Sequence, residues 1–209
     1  MLHGIYWVIL IICWGGLGLF WAVGWIYNLW KAPVVQRRSG FLPFLILGIA
    51  LVWLVTMFLR HNFLTFMTFT APWLQIIGAV LLISATAFTF WARWVLGTMW
   101  AAVAEIKEDH QLRTEGPYRI TRHPIYTGLM TMLLGSMLMG GFGIWVLYFI
   151  IGLIAVIIKA TSEERLLKET FGEQYTQYQQ RVPQLIPGIQ LLTRQNLRDI
   201  TAHFHPQED

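Results

Sequence analysis

Long uncharged blocks fill most of the first three quarters of the chain. Four stretches contain no Asp, Glu, Lys or Arg, and they cover 1–30, 41–59, 62–92 and 124–158. A helix that crosses a membrane needs about 20 consecutive apolar residues. Because a soluble core would intersperse its apolar positions with charged ones, this pattern predicts a polytopic membrane protein.

The blocks predict an all-α integral-membrane fold with about five transmembrane helices, the last two forming a hairpin. Pro72 suits the first turn of the third helix, and the glycines at 140, 141 and 143 divide the last block in two. The predicted helices cover 5–30, 41–59, 73–96, 125–139 and 142–158.

Beyond the fifth predicted helix the chain is expected to leave the membrane as a helical rod. No Gly or Pro occurs between 159 and Gly172, so the helix is expected to run on into water. The stretch 161–181 is predicted as helix with a break at Gly172. We divide the chain into a three-helix region, 1–96, and a second region, 97–209, within one structural unit.

The charges are few and unevenly placed. Only 12% of the residues are charged, against about 25% in ordinary soluble domains. All Lys and Arg except Arg60 fall in 31–40, 93–124 and 159–209, which the predicted topology puts on one face. Since positive loops stay in the cytoplasm, we expect a non-cytoplasmic N-terminus and a cytoplasmic C-terminus.

Several common functions find no support in the residues. The net charge of +4 accompanies no nucleic-acid-binding motif, so no nucleic acid partner is expected. Cys13 is the only cysteine, which excludes an intramolecular disulfide. His203 and His205 lack further ligands nearby, and no metal site is predicted.

Two polar clusters flank the predicted hairpin, over 110–128 and 159–183. Because a turn of about four residues joins the two helices, their polar ends must be neighbours in space. Lys159 and Glu163 also share a helix face, and ionisable residues at membrane depth are usually functional. Either cluster alone could be a basic flank or a solvated face, but the pair favours a site. The residues expected to meet there are Tyr118, His123, Tyr126, Lys159 and Glu163.

The two clusters contain specific motifs. Gly-Pro-Tyr-x-x-x-Arg-His-Pro-x-Tyr-x-Gly occupies 116–128, and Glu-Glu-x-x-Leu-x-x-x-Phe-Gly-x-x-Tyr-x-x-Tyr occupies 163–178. Their order and spacing resemble the isoprenylcysteine carboxyl methyltransferase family of integral-membrane enzymes. The resemblance extends over about 103–187, and the first three helices add only a compatible topology.

The resemblance implies a cofactor, S-adenosylmethionine, bound in a cytoplasmic pocket between the 97–124 loop and the 159–187 tail. The implied cofactor contacts are His110, Gln111, Leu112, Arg113, Tyr118, His123, Pro124, Ile125, Tyr126 and Glu163. The catalytic candidates are Lys159, Arg181 and Glu164, with Arg122 as a further candidate for binding the acceptor. Lys159 stands where the eukaryotic enzymes have an Arg that faces the methyl acceptor, so the acceptor stays open.

The sequence thus favours methyl transfer to a lipophilic acceptor that enters from the bilayer. One alternative is a phospholipid amine N-methyltransferase, which shares the Arg-His-Pro and Glu-Glu features. A more remote one is an NADPH-dependent sterol-reductase-like enzyme, whose Arg-His-Pro is usually followed by Asn-Tyr and Gly-Glu; here Ile125-Tyr126 and Gly128-Leu129 argue against it. A non-enzymatic membrane scaffold would bind no nucleotide-like ligand. The sequence names neither the acceptor nor an oligomeric state.

Overall fold

The computed structural model describes residues 2–31, 34–38, 68–97, 104–107 and 112–188. These residues form the helices α1 (Leu2–Lys31), α2 (Pro72–Leu96), α3 (Pro124–Gly140) and α4 (Ile144–Arg181). Of these, α1, α2 and α4 are long and apolar enough to cross a membrane, whereas α3 is a shorter apolar helix. The helix predicted over 41–59 lies outside the described residues.

Proline and glycine set the helix limits. Pro72 opens α2 directly after Ala71, whose backbone is extended, and α2 ends at Gly97. Pro124 opens α3, and Gly141 ends it with a positive φ of 84°, a conformation that glycine adopts without strain. The predicted break between the last two helices is therefore confirmed, within two residues of its expected position.

Small residues let α2 and α3 pack closely. A Cβ atom on Gly78 would lie 2.6 Å from the carbonyl oxygen of Gly135, and one on Gly128 would collide with the hydroxyl of Thr89. In a membrane, where lipid tails are as apolar as the side chains, such close van der Waals contact stabilises helix pairs. α1 joins the pair through a bond from Trp14 Nε1 to Ser136 Oγ of 3.1 Å.

A short antiparallel sheet, absent from the sequence prediction, ties two segments that each follow a helix. β1 (Val34–Arg38) comes after α1 and β2 (Ala104–Lys107) comes after α2. The C-terminal ends of α1 and α2 therefore lie on the same face. At the opposite end, Phe69 N donates to Gly141 O at 2.9 Å, which ties the start of α2 to the hairpin turn. This arrangement agrees with the predicted placement of 31–40 and 93–124 on one face.

α4 folds back on itself at Gly172. Gly172 has non-helical backbone angles (φ 52°, ψ −120°), and Gln179 Nε2 donates to Glu164 Oε2 at 3.1 Å. In a straight helix these two residues would stand about 22 Å apart. The predicted break at Gly172 is confirmed, and the helix runs on to it from the spanning part as predicted, but the reversal of the chain at this point was not predicted. We call residues 173–181 the return arm.

Apolar packing explains the reversal. A buried cluster is formed by Tyr175, Tyr178 and Val182. It packs against side chains of α4 before Gly172 and against one side chain that precedes the 3₁₀ turn of the first motif. Those partners are Leu112, Leu167 and Phe171. A straight rod would leave these rings in water, so the return arm buries apolar surface that a rod would expose.

Candidate active site

A 3₁₀ turn at Gly116–Arg119 sets the position of the first motif. A Cβ atom on Gly116 would lie 3.5 Å from the side chains of Trp91 and Val95, so the turn rests on the last turns of α2. Tyr118 is buried beneath it. The chain then runs as a short irregular segment, 120–123, to Pro124, which places His123 directly before α3.

The residues after the return arm, 183–185, are hydrogen-bonded to the segment before α3 and to the first turn of α3. Backbone N–H groups of Arg122 and His123 donate to carbonyl oxygens of the 183–184 segment, at 2.9 Å and 3.1 Å. These two N–H groups are therefore not available to a ligand. The other bonds that join the two segments are Thr121 Oγ1 to Gln184 O, Thr127 Oγ1 to Leu185 O and Tyr178 Oη to Tyr118 O.

The buried ring of His123 lies between two carboxylates. Its Nδ1 is 3.6 Å from Glu163 Oε2, and its Nε2 is 3.3 Å from Glu164 Oε1. His123 comes from the first motif and both glutamates from the second. The expectation that the polar ends of the hairpin meet is thus confirmed.

Glu163 is held by a tyrosine and a lysine. Tyr126 Oη donates to Glu163 Oε1 at 2.6 Å, and Lys159 Nζ lies 3.0 Å from the same oxygen. The rings of His123 and Tyr126 stack with centroids 5.5 Å apart. The side chain of Glu163 keeps 22% exposure, so it can still reach a ligand.

Glu164 lies deeper and is fully bonded. It accepts from Arg122 Nε at 2.8 Å, from Gln179 Nε2 at 3.1 Å and from His123. Burial by itself would raise the pKa of Glu164, but the hydrogen bonds and charges of His123 and Arg122 outweigh burial and hold that pKa below its usual value. Glu164 is therefore an ionised carboxylate that holds the cluster together.

Arg122 is also fully engaged. Besides Glu164, its Nη1 donates to the carbonyl oxygens of Gln179 and Val182, at 3.0 Å and 2.5 Å. Its side chain is only 8% exposed. Arg122 thus bonds the end of the return arm to the segment before α3. This geometry does not favour Arg122 as the residue that binds the methyl acceptor.

The remaining predicted residues lie apart from the cluster or outside the described residues. Arg181 lies in a separate cleft with Leu112, and Arg113 is exposed. Pro124 and Ile125 are buried in the first turn of α3. His110 and Gln111 fall outside the described residues.

Sequence reasoning missed Gln179, and it named Tyr175 only as part of the second motif, without a role. Gln179 reaches Glu164 only because the chain reverses at Gly172, and no local pattern reveals such a contact. The Tyr-x-x-Tyr spacing after the glycine was the available signal, since it puts two aromatic rings on nearly one face of the return arm. Burial raises the pKa of Tyr175, and its hydroxyl has no partner among the described residues.

The fold and the cluster together define a helical membrane protein with a buried network of charged side chains at one end of a hairpin. A family model described as phospholipid methyltransferase matches residues 73–174. Protein-S-isoprenylcysteine O-methyltransferase B of Arabidopsis thaliana is 37% identical over 89 residues, which cover 40% of this chain and 43% of that protein. The Schizosaccharomyces pombe protein-S-isoprenylcysteine O-methyltransferase is 39% identical over 83 residues, or 39% of this chain and 35% of that one.

More distant matches extend the comparison. Methanethiol S-methyltransferase of Pseudomonas deceptionensis is 32% identical over 83 residues, which cover 39% of this chain and 30% of that protein. A solved structure of the eukaryotic intramembrane Ras methyltransferase, isoprenylcysteine carboxyl methyltransferase, superposes with a TM-score of 0.55 at 25% identity. That match covers 74% of this chain and 56% of that one. The matches span less than half the length of these curated relatives. The resemblance to the isoprenylcysteine carboxyl methyltransferase family is confirmed by sequence and fold together.

Proposed function

We propose that this protein is an integral-membrane methyltransferase that transfers a methyl group from S-adenosylmethionine to a lipophilic acceptor. The observation that carries the proposal is the convergence of His123, Glu163 and Tyr126 at one end of the α3–α4 hairpin. The named relatives are methyltransferases, and the residues matched by the phospholipid methyltransferase family model, 73–174, include this cluster. The family resemblance and the geometry thus point to the same place.

The described residues suit S-adenosylmethionine. When bound, it supplies an electrophilic methyl group on a positively charged sulfur. Glu163 offers a partly exposed carboxylate for a cationic or hydroxyl group, and the stacked rings of His123 and Tyr126 offer an aromatic face. Tyr126 and Lys159 hold the Glu163 carboxylate in place. The remaining contacts implied by the resemblance belong to this proposal: His110, Gln111, Leu112, Arg113, Tyr118, Pro124 and Ile125.

Lys159 is the residue that we assign to the acceptor. It lies four residues before Glu163, on the side of the cluster toward the membrane-spanning part of α4, and its side chain is 18% exposed. From that position its ammonium can orient an anionic or polar acceptor group that arrives from the bilayer. Since methyl transfer needs little acid–base help, the contribution of these residues is to position the reactants and exclude water.

Orientation is part of the proposal. The site end of the hairpin faces the cytoplasm, with a non-cytoplasmic N-terminus, because the basic segments lie on that face. The three-helix region 1–96 and the region 97–209 act as one unit, which the packing of α2 against α3 supports.

A phospholipid amine is the second candidate acceptor, because the matching family model is that of phospholipid methyltransferases. The acceptor would then present an amine where the first proposal expects a carboxylate or sulfur group. Transfer of labelled methyl groups to a panel of prenylated cysteine carboxylates, thiols and phosphatidylethanolamine separates these cases. Methylation of water-soluble acceptors alone would contradict a lipophilic acceptor.

Ligand binding tests the proposal directly. Calorimetry of the purified protein is expected to show binding of S-adenosylhomocysteine that is lost in Glu163→Ala and in His123→Ala. Glu173→Ala, at an exposed glutamate of the return arm, is the matched control and should bind as the unaltered protein does. Binding of NADPH without binding of S-adenosylhomocysteine would overturn the proposal in favour of a reductase.

A further inference from the structure

Two arginines without a described partner line a cleft beside the return arm. The cleft has a volume of about 450 Å³. Arg119 enters it from the 3₁₀ turn and Arg181 from the return arm, and Thr114, Gln174 and Gln177 add neutral polar side chains. Neither arginine forms a hydrogen bond or ion pair with another described residue. Among the described lining residues none is acidic.

These arginines differ from the cations of the methyl-transfer cluster. Lys159 and Arg122 are each held by a glutamate at 3.0 Å or less, whereas Arg119 and Arg181 are exposed. Cations that the described fold does not neutralise can bind an anion without first breaking an internal pair. The cleft is therefore chemically distinct from the cluster around His123.

The walls of the cleft are fixed to each other. Tyr178 lines it together with Val182, and the Tyr178 hydroxyl donates to Tyr118 O at 2.6 Å, which joins the return arm to the 3₁₀ turn. Leu112 packs on the same buried aromatic cluster. A site whose walls are already held together loses little conformational entropy when a ligand binds.

The length of α2 places the cleft, by inference, at the level of the lipid headgroups. The 3₁₀ turn that carries Arg119 rests on Trp91 and Val95 in the last turns of α2. A helix of 25 residues is about 37 Å long, whereas the hydrocarbon core is about 30 Å thick, so the end of α2 reaches the headgroup layer. Ile120 and Ile186 nearby are 42% and 50% exposed, and aliphatic side chains at this depth gain by contact with lipid.

We propose that this cleft binds the phosphate group of an anionic phospholipid from the adjacent leaflet. Guanidinium groups bind phosphate oxygens through paired hydrogen bonds, and two of them with neutral donors suit a headgroup of net negative charge. The position beside the end of α2 favours a lipid over a soluble phosphate. The cleft shares Leu112 with the proposed cofactor contacts, but phosphate binding by its two arginines does not depend on methyl transfer, so its test needs no turnover.

The test uses the full chain purified in detergent and titrated with lipid, with binding followed by native mass spectrometry. Phosphatidylglycerol is expected to bind, and R119Q/R181Q is expected to weaken it about tenfold or more, since each basic residue contributes about fivefold near a charged headgroup. The matched control is R165Q/K168Q, which removes two positive charges from exposed positions of α4. It should change the affinity by less than twofold.

Each other outcome counts against the proposal. Equal weakening in the two double variants would show that total charge, and not the cleft, attracts the lipid. Equal binding of phosphatidylcholine would remove the requirement for an anionic headgroup. If inorganic phosphate bound as tightly as the lipid, the site would be one for a soluble anion. Should R119Q/R181Q not fold, each single variant is expected to weaken binding about fivefold, and no weakening in either would overturn the assignment.

Discussion

The membrane-spanning part of the molecule and its polar end are held together by different forces. Between α2 and α3, glycines at 78 and 135 bring two backbones into contact without any charged group. At the polar end, Arg122, Glu164 and Gln179 join segments that are far apart in the sequence through charged hydrogen bonds. The spanning region depends on close packing of small residues, and the polar end depends on a hydrogen-bond partner for every buried charge. Different substitutions should therefore destabilise the two regions.

The largest effect is expected from added volume between the spanning helices. Gly135→Leu would drive a side chain into the backbone of α2, where a Cβ atom alone would lie 2.7 Å from Gly78 O. Rigid backbone cannot yield as a side chain can, so we expect more than the usual overpacking cost of about 1–3 kcal/mol and little folded protein. Size-exclusion chromatography in detergent would measure the folded fraction.

Gly18→Leu is the control for this substitution. Gly18 also lies in a spanning helix, but a Cβ atom there would have no neighbour within 4 Å. We expect this variant to remain folded with an unchanged elution profile. If both variants behaved alike, close packing of α2 on α3 would not be what holds the spanning region together.

The next largest effect is expected from an unpaired charge at the polar end. Arg122→Gln leaves the buried Glu164 without its nearest partner and frees the carbonyl groups of Gln179 and Val182. Removal of one member of a buried ion pair typically costs about 3–5 kcal/mol. The thermal midpoint in detergent should fall clearly, while Arg165→Gln at an exposed site should leave it unchanged. If the thermal midpoint of Arg122→Gln equalled that of the unaltered protein, Arg122 would not be the residue that holds the return arm in place.

The contrast between the regions also explains how much of the fold could be predicted. The described spanning helices follow the apolar blocks closely: α2 was expected over 73–96 and occupies Pro72–Leu96, because Pro and Gly mark its ends. The pairing of β1 with β2 was not predicted, since β1 (Val-Val-Gln-Arg-Arg) does not alternate apolar and polar residues and β2 (Ala-Glu-Ile-Lys) alternates over only four. The return arm was only half predicted, because a glycine shows where a helix breaks and distant packing decides where the chain goes.

The site divides in the same way. His123, Tyr126, Lys159 and Glu163 could be predicted to meet because one short turn joins the helices that carry them. Contacts that require the chain to reverse at Gly172 could not. The bond from Gln179 to Glu164 is the clearest example. At the level of the sequence only the family resemblance separates the two adjacent glutamates, with Glu163 as a cofactor contact and Glu164 as a catalytic candidate.

Those two glutamates offer a finer comparison. Glu163→Gln keeps the side-chain volume but removes the charge of the more exposed carboxylate. Hydrogen bonds to charged groups contribute about 1.5–3 kcal/mol, so we expect the affinity for S-adenosylhomocysteine to fall by about 10-fold to 100-fold. The thermal midpoint should change far less than in Arg122→Gln. Glu173→Gln on the return arm is the control. If Glu163→Gln lost much stability but no affinity, Glu163 would be a residue that holds the cluster together and not one that binds the ligand.

The last effect is a loss of stability in acid, and it concerns Glu164. Its pKa in the folded protein lies below the ordinary value of 4.5, so the native state favours the ionised form more than the unfolded chain does. The resulting stabilisation is complete above about pH 4.5 and is lost as the pH falls through the lower folded-state pKa. The thermal midpoint of the unaltered protein should therefore drop in that range, and the drop should be smaller in Glu164→Gln, which has no proton to gain there. Glu173→Gln should keep the full drop, and an equal drop in all three proteins would show that acid acts elsewhere.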